Sequence, residues 1–237
     1  SDSTKIPLRE KPVKIDKLKK PKAKRGRPKK GEIRASKEPT ILELQQGMST
    51  TKQMLSLVST NCGVGVKKNS KGNNEKWIGG KLHVSVVDGD IPIAAFYSGA
   101  NVHDSSVALP LINETSQRVP YFYDLQDAAY YSNIIKEFSK KLNHRPIIDI
   151  NPKNSKELKV KIELDKEEQK KFELLNLPQS SNTYHYNQRS MVERVNKYLK
   201  EDFGCNTIYY KGATKVASVL AFGILSVCIH QSLKLVT

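Results

Sequence analysis

The stretch from Lys81 to Tyr97 constrains this chain most. Lys81 to Val87 is rich in β-branched residues, Asp88-Gly89-Asp90 is turn chemistry, and Ile91 to Tyr97 is a second apolar run of strand length. Two such runs joined by so short a turn must pair antiparallel. Elements of both periods surround this hairpin. Val58 to Val66 reads as a short strand. Asp104 is a candidate N-cap for a helix running to about Asn113 and limited by Pro110. Val119 to Leu125 is a strand, Tyr131 to Leu142 a helix and Pro146 to Ile150 a short buried strand. Residues 151–182 are Lys/Glu-rich and read as a solvated insertion. A helix from Tyr186 to Phe203 ends at Gly204, a short strand covers Asn206 to Tyr210, and an apolar helix covers Lys215 to Leu235. The order predicts an α/β fold, a mixed sheet flanked by helices.

Charge divides the chain unevenly. The formal net charge is +16, and residues 1–38 hold 15 Lys/Arg against 5 Asp/Glu. That segment has prolines at 7, 12, 21 and 28 and few large apolar side chains, so residues 1–38 read as a disordered basic arm for a polyanionic partner. Within it, Arg25-Gly26-Arg27-Pro28, followed by Lys29 and Lys30, is similar to the core of an AT-hook. Gly26 would let the backbone lie flat in a narrow minor groove while both arginines follow its floor. A basic linker touching phosphates without sequence preference is the other reading. Residues 39–57 read as a helical linker and 58–237 as the globular domain. Cys62, Cys205 and Cys228 form no CxxC pair, and the five histidines show no metal-binding spacing, which argues against disulfides and zinc. The best apolar stretch, Val216 to Ile229, is about one core helix long, so no membrane partner is expected.

One helix concentrates polar residues. Arg189, Glu193, Asn196 and Lys200 fall at i, i+4, i+7 and i+11, one narrow stripe, with Val192, Val195 and Leu199 on an adjacent apolar one. Taken alone, this spacing also describes a surface helix with one Arg–Glu pair. Tyr186, Arg189, Glu193 and Lys200 together reproduce a Y-(2)-R-(3)-E-(6)-K spacing, and here the chain resembles the DDE transposases of bacterial insertion sequences. The resemblance continues through Lys67 to Gly72, Trp77 to His83, Asp90 to Ile93, Val102 to Ser105, Tyr123 to Tyr130, Pro146 to Pro152 and Lys211 to Val216. It spans residues 58–235.

The resemblance implies a ribonuclease H-like sheet on which three carboxylates hold two Mg²⁺ or Mn²⁺ ions for DNA cleavage and strand transfer. Carried over by position, the second carboxylate is Asp127 and the third Glu193, with Tyr186, Arg189 and Lys200 at the DNA. The first falls at Cys62-Gly63-Val64-Gly65, where relatives resemble Cys-Asp-x-Gly. Gly63 stands in the acid's place, and no Asp or Glu lies between Glu43 and Glu75. Asn61 is the nearest substitute oxygen ligand. Gly80 replaces a usual aromatic. These departures imply an impaired transposase; a non-catalytic DNA-binding protein and a decayed fragment are the alternatives. Implied partners are double-stranded DNA, as transposon ends and target, and further copies of the chain on that DNA. No small-molecule substrate is implied, and the setting is cytosolic.

Overall fold

A computed structural model describes residues 1–13, 38–68, 71–151, 155–175, 185 and 187–236. The spine is the long strand β3 (Asn74–Val87), with β1 (Asp2–Pro7), β2 (Gly63–Lys68) and β4 (Ile91–Gly99) around it. β4 runs antiparallel along one edge of β3, from Gly80↔Gly99 to Val87↔Ile91. The turn between them holds Gly89 at φ 80° and Asp90 at φ 59°. This pair of left-handed residues matches the twist of the strands they join.

β1 and β2 flank β3 from opposite sides, so β2 and β4 follow one another along one edge and β1 takes the other. β2 pairs with the first half of β3, Lys68↔Asn74 to Gly63↔Gly79, and β1 with its second, Pro7↔Gly79 to Asp2↔Val84. β5 (Tyr123–Gln126) and β6 (Arg145–Ile148) form a parallel pair. The Ser1 amine donates to the Leu125 carbonyl at 2.7 Å, which sets β1 against β5.

The first residues are therefore sheet, and the expected disordered arm does not begin at residue 1. Alternation decides it: Thr4, Ile6 and Leu8 are buried at period two. Charge averaged over 38 residues concealed this short pattern. After β1 the chain stays anchored, with Glu10 accepting from Gly212 N–H and Val13 N–H donating to Cys62 O. The AT-hook-like stretch lies outside the described residues.

Residues 39–57 are not a linker. They form α1 (Ile41–Gln46) and α2 (Thr51–Ser56), each opened by a capping box, Thr40 with Glu43 and Thr50 with Gln53. Buried Gln45 donates to Met54 O and Ser106 O, tying both helices to the domain. A 3₁₀ turn (Asp104–Val107) capped by His103, rather than by Asp104, leads into α3 (Ala108–Arg118). Pro110 falls in the first turn of α3, where no helical hydrogen bond is lost. Then come α4 (Asn133–Lys141), the Lys/Glu-rich and mostly exposed α5 (Lys156–Leu174), α6 (Ser190–Glu201) and α7 (Ala213–Val236). Of the expected strand at 206–210 only a bridge, Leu8↔Ile208, forms.

Alternation along β3 sends its side chains to two faces. Leu82 and Val84 enter a core with Ile6, Val195, Leu199, Val216, Leu220 and Val227, beneath α6 and α7. On the other face Lys81 reaches Asp104 at 2.9 Å, ahead of α3. A second core there holds Met54, Ala108, Leu109, Ile112, Tyr130 and Ile135. The α/β expectation is met, with a mostly antiparallel sheet. α7 is longer than expected and, by length and composition alone, apolar enough to cross a membrane. Its Val216, Leu220, Gly223, Val227 and Gln231 form the inward stripe and are buried.

Candidate active site

β1 opens on an acid, on the side of the sheet that faces β5 through the Ser1–Leu125 bond. Asp2 shares a face with Thr4 and Ile6, the face that α6 covers. Its Oδ1 accepts from Ser3 N–H at 2.7 Å, and its Oδ2 lies 3.8 Å from Arg189 Nη1. Arg189 Nη2 in turn lies 3.3 Å from Glu193 Oε1. One guanidinium thus stands between a carboxylate of the first strand and a carboxylate of α6. Buried Val192, Val195 and Leu199 hold α6 in the orientation that makes this possible.

Asp127 arrives from the neighbouring strand. It follows β5 directly and caps the 3₁₀ turn Ala128–Tyr130, with Oδ1 accepting from Ala128 N–H at 2.5 Å. Burial raises the Asp2 carboxyl above its ordinary range; its Ser3 hydrogen bond and Arg189 oppose this, and the nearby Asp127 charge adds to it. Asp2 and Glu193 therefore meet on Arg189, and Asp127 lies within electrostatic reach of Asp2. Among the described residues no three His, Cys, Asp or Glu side chains already form an ion cage.

The shell beneath is acidic as well. Buried Asp124 accepts from Ser139 Oγ at 2.9 Å and Gln126 Nε2 at 3.1 Å, and burial pushes its carboxyl up. Tyr130 is fully buried, and its hydroxyl has no hydrogen-bond partner among the described residues. Burial first, then the charges of Asp104, Asp2, Asp127 and Asp124, drive its phenol well above the usual range. Beside Arg189 a cavity of about 650 Å³ runs along Tyr121, Tyr123, Asp124, His185 and Val86. Tyr123 stacks on His185 at 4.0 Å, and Tyr121 on His144 at 3.8 Å.

Gly63 is elsewhere. It pairs with Gly79, the level reached by Pro7 at the far end of β1. Five residues of strand, roughly 17 Å at about 3.3 Å each, separate that level from Asp2. A Cβ at Gly63 would lie 2.3 Å from Asn101 Oδ1, so the glycine answers to a close neighbour. Asn61, exposed just ahead of β2, lies at the same remote end. Gly80 also has a packing reason: the Tyr97 ring crosses it, 2.2 Å from where a Cβ would stand. Lys200 is half-buried on α6, and burial, then Lys5 and Lys67, lower its ammonium. Tyr186, Arg25, Arg27, Lys29 and Lys30 lie outside the described residues.

A family model of the transposase DDE domain matches residues 2–229. The chain belongs to the transposase DDE domain family. No curated protein and no solved structure matches it. Members of this family act on DNA and typically use divalent metals, so a transposase role in general follows. The matched span opens on Asp2, an acid that lies far in sequence from Cys62. The available signal was the Thr4-Ile6-Leu8 alternation behind Asp2, which marks a buried strand with an acid at its start.

Proposed function

We propose that this chain is an insertion-sequence transposase domain that cleaves DNA and transfers strands, with Asp2, Asp127 and Glu193 as its three carboxylates. The observation that carries the reading is the meeting of Asp2 and Glu193 on one guanidinium, with Asp127 close enough to act on Asp2. The antiparallel β4-β3-β1 set, with the parallel β5-β6 pair beside it through the Ser1–Leu125 bond, supports a ribonuclease H-like arrangement in which β1 carries the first acid.

The donor set suits a hard divalent cation: three carboxylates and neither His nor Cys. Burial that raises Asp2 disfavours its charge, and a nearby dication would offset that penalty. Asp2, Asp127 and Glu193 would hold Mg²⁺ or Mn²⁺, which, when bound, supplies activation of the attacking oxygen and stabilisation of the leaving one. The protein does the rest. Arg189, which reaches Glu193 at 3.3 Å and Asp2 at 3.8 Å, presents a planar fork of the kind that binds phosphate strongly. Lys200, lower on the same helix, offers a second cation to the backbone. The α6 core stripe fixes Glu193, and the Ala128 amide orients Asp127.

On this reading the first acid is present, and Gly63 says nothing about activity. The test is Mn²⁺-dependent nicking of supercoiled plasmid by the chain and by Asp2→Asn, Asp127→Asn and Glu193→Gln. Each variant should lose at least about 10²-fold in rate. Each should also lose part of the Mn²⁺-induced rise in melting temperature, a readout independent of turnover. Undiminished nicking by Asp2→Asn would remove Asp2 from the site.

A further inference from the structure

β2 and the first half of β3 form a two-stranded ribbon of their own. Asn74 to Trp77 pair with β2 alone; Ile78 O already accepts from Leu8 N–H, and the β1 and β4 ladders begin at Gly79 and Gly80. Gly79 has φ 149°, a conformation open to glycine, at the junction. The ribbon bends back there. Lys5 sits opposite Lys81, six residues from Glu75 along β3 and about 20 Å away if the strand were straight. Yet Lys5 Nζ and Glu75 Oε1 form an ion pair, so the ribbon folds toward β1.

Its two faces differ. On one, the Trp77 ring lies over Gly65 and its Nε1–H donates to Gly80 O at 3.2 Å, while Lys67 sits opposite Glu75. On the other, Val64, Val66 and Lys68 stand opposite Ile78, Lys76 and Asn74, and all six are exposed. Residues 63–78 contain four lysines, Lys67, Lys68, Lys71 and Lys76, and one acid, Glu75, which Lys5 already engages. No strand covers the outer edge of β2 among the described residues.

The position matters as much as the charge. From Asp2 to Lys5 is three residues of strand, roughly 10 Å. From Glu193 to Lys200 is seven residues of helix, also roughly 10 Å. Both elements thus lead from the carboxylates toward the ribbon, over a distance of about three nucleotides of backbone rise. Lys5 and Lys67 both lie within electrostatic reach of Lys200.

We propose that the ribbon of β2 and Asn74–Ile78, with Lys5 and Lys200, is a second duplex-DNA contact surface, about three nucleotides from the scissile phosphate. Lys5, Lys67 and Lys200 hold backbone phosphates on one side of the ribbon, Lys68 and Lys76 hold them on the other, and Val64, Val66 and Ile78 lie against a groove. A two-stranded ribbon fits the roughly 12 Å major groove. Charge selects the occupant: the surface is basic, so a second copy of the same ribbon would be repelled. The proposal rests on the DNA reading above and assigns that reading an additional binding face.

The experiment measures binding of the full chain to a labelled duplex in EDTA, which separates binding from cleavage, over a salt series. Lys68→Ala/Lys76→Ala should lower affinity severalfold or more and reduce the slope of log K against log salt by about 2, roughly 0.9 per lost phosphate contact. Lys161→Ala/Lys166→Ala, the same charge loss on exposed α5, should leave the slope unchanged, and Lys68→Arg/Lys76→Arg should retain it. Equal slopes for the ribbon and α5 variants overturn the proposal. So does a ribbon variant that binds DNA normally but loses binding to anionic vesicles. If the chain nicks plasmid through the three carboxylates while the ribbon variant binds like wild type, only the ribbon proposal fails. If the slope falls but the carboxylate variants still nick, only the site assignment fails.

Discussion

The substitution Gly63→Asp separates the two accounts of the first acid most sharply. If Gly63 were a lost ligand position, restoring Asp there would restore metal chemistry. The structure gives the opposite expectation. Gly63 lies five strand residues from the level of Asp2, roughly 17 Å, whereas acids that share a metal pair act across ions about 4 Å apart. The new side chain would also meet a neighbour. Its Cβ would sit 2.3 Å from Asn101 Oδ1, 2.8 Å from Asn101 Cγ and 3.2 Å from the Asn101 backbone nitrogen. Asn101 is exposed, so its side chain can swing aside, but its backbone nitrogen cannot. Overpacking of this degree costs about 1–3 kcal/mol. Urea unfolding of Gly63→Asp should show a lower midpoint by that amount, and plasmid nicking in Mn²⁺ should not rise. Adding Gly63→Asp to Asp2→Asn should recover nothing. A gain in nicking in either background would refute the placement of the first carboxylate on β1.

Two further perturbations test the fold that holds the site. His83 is fully buried on β3, its Nε2 2.8 Å from Ser98 Oγ and its Nδ1 without a partner among the described residues, and burial lowers its value from 6.5 to about 4. A buried imidazole kept neutral contributes its full stability above about pH 6.5 and loses it as pH falls toward 4, a loss of about 3 kcal/mol at pH 4. His83→Phe forfeits the Ser98 hydrogen bond, about 1 kcal/mol, so urea midpoints should favour wild type at pH 7 and the variant at pH 4; parallel pH profiles would contradict this. Gly223→Ala should destabilise despite the roughly 1 kcal/mol helix advantage of Ala, because its Cβ would meet Cys205 Sγ at 2.5 Å and Leu199 Cδ1 at 2.7 Å. Cys205→Ala should recover part of that loss in the double variant, and a stabilised Gly223→Ala would show that α7 has slack against α6.

The hairpin at Lys81–Tyr97, the α6 stripe and the places of Asp127 after β5 and of Glu193 on α6 were legible because each rests on local periodicity or fixed spacing. Val192, Val195 and Leu199 are buried and Arg189 does reach Glu193, as the i, i+4 geometry requires. Asp2 was hidden for a physical reason. A strand of six residues carries little pattern, and here it is followed immediately by a basic stretch that dominates any average. Its partners are equally distant in sequence: β1 pairs with β3 more than 70 residues away, and nothing local announces such a pairing. The surroundings of the glycines were hidden in a related way. Gly63 and Gly80 resemble lost side chains until the Asn101 amide and the Tyr97 ring are seen to occupy their space.

The anchoring of Val13 to Cys62 and of Glu10 to Gly212 has a consequence for how the molecule comes apart. Because residues 1–13 hold to the sheet through contacts of their own, severing them from the rest of the chain would release nothing at once. It leaves a thirteen-residue-plus piece clamped as a strand in the sheet and a larger remainder that folds around it. The smaller piece carries Asp2 and the larger carries Asp127 and Glu193. A nicked molecule would then be a reconstituted pair of fragments, with its acids divided between them, and its endurance would be set by six rungs of β1–β3 ladder and the burial of Ile6 and Leu8.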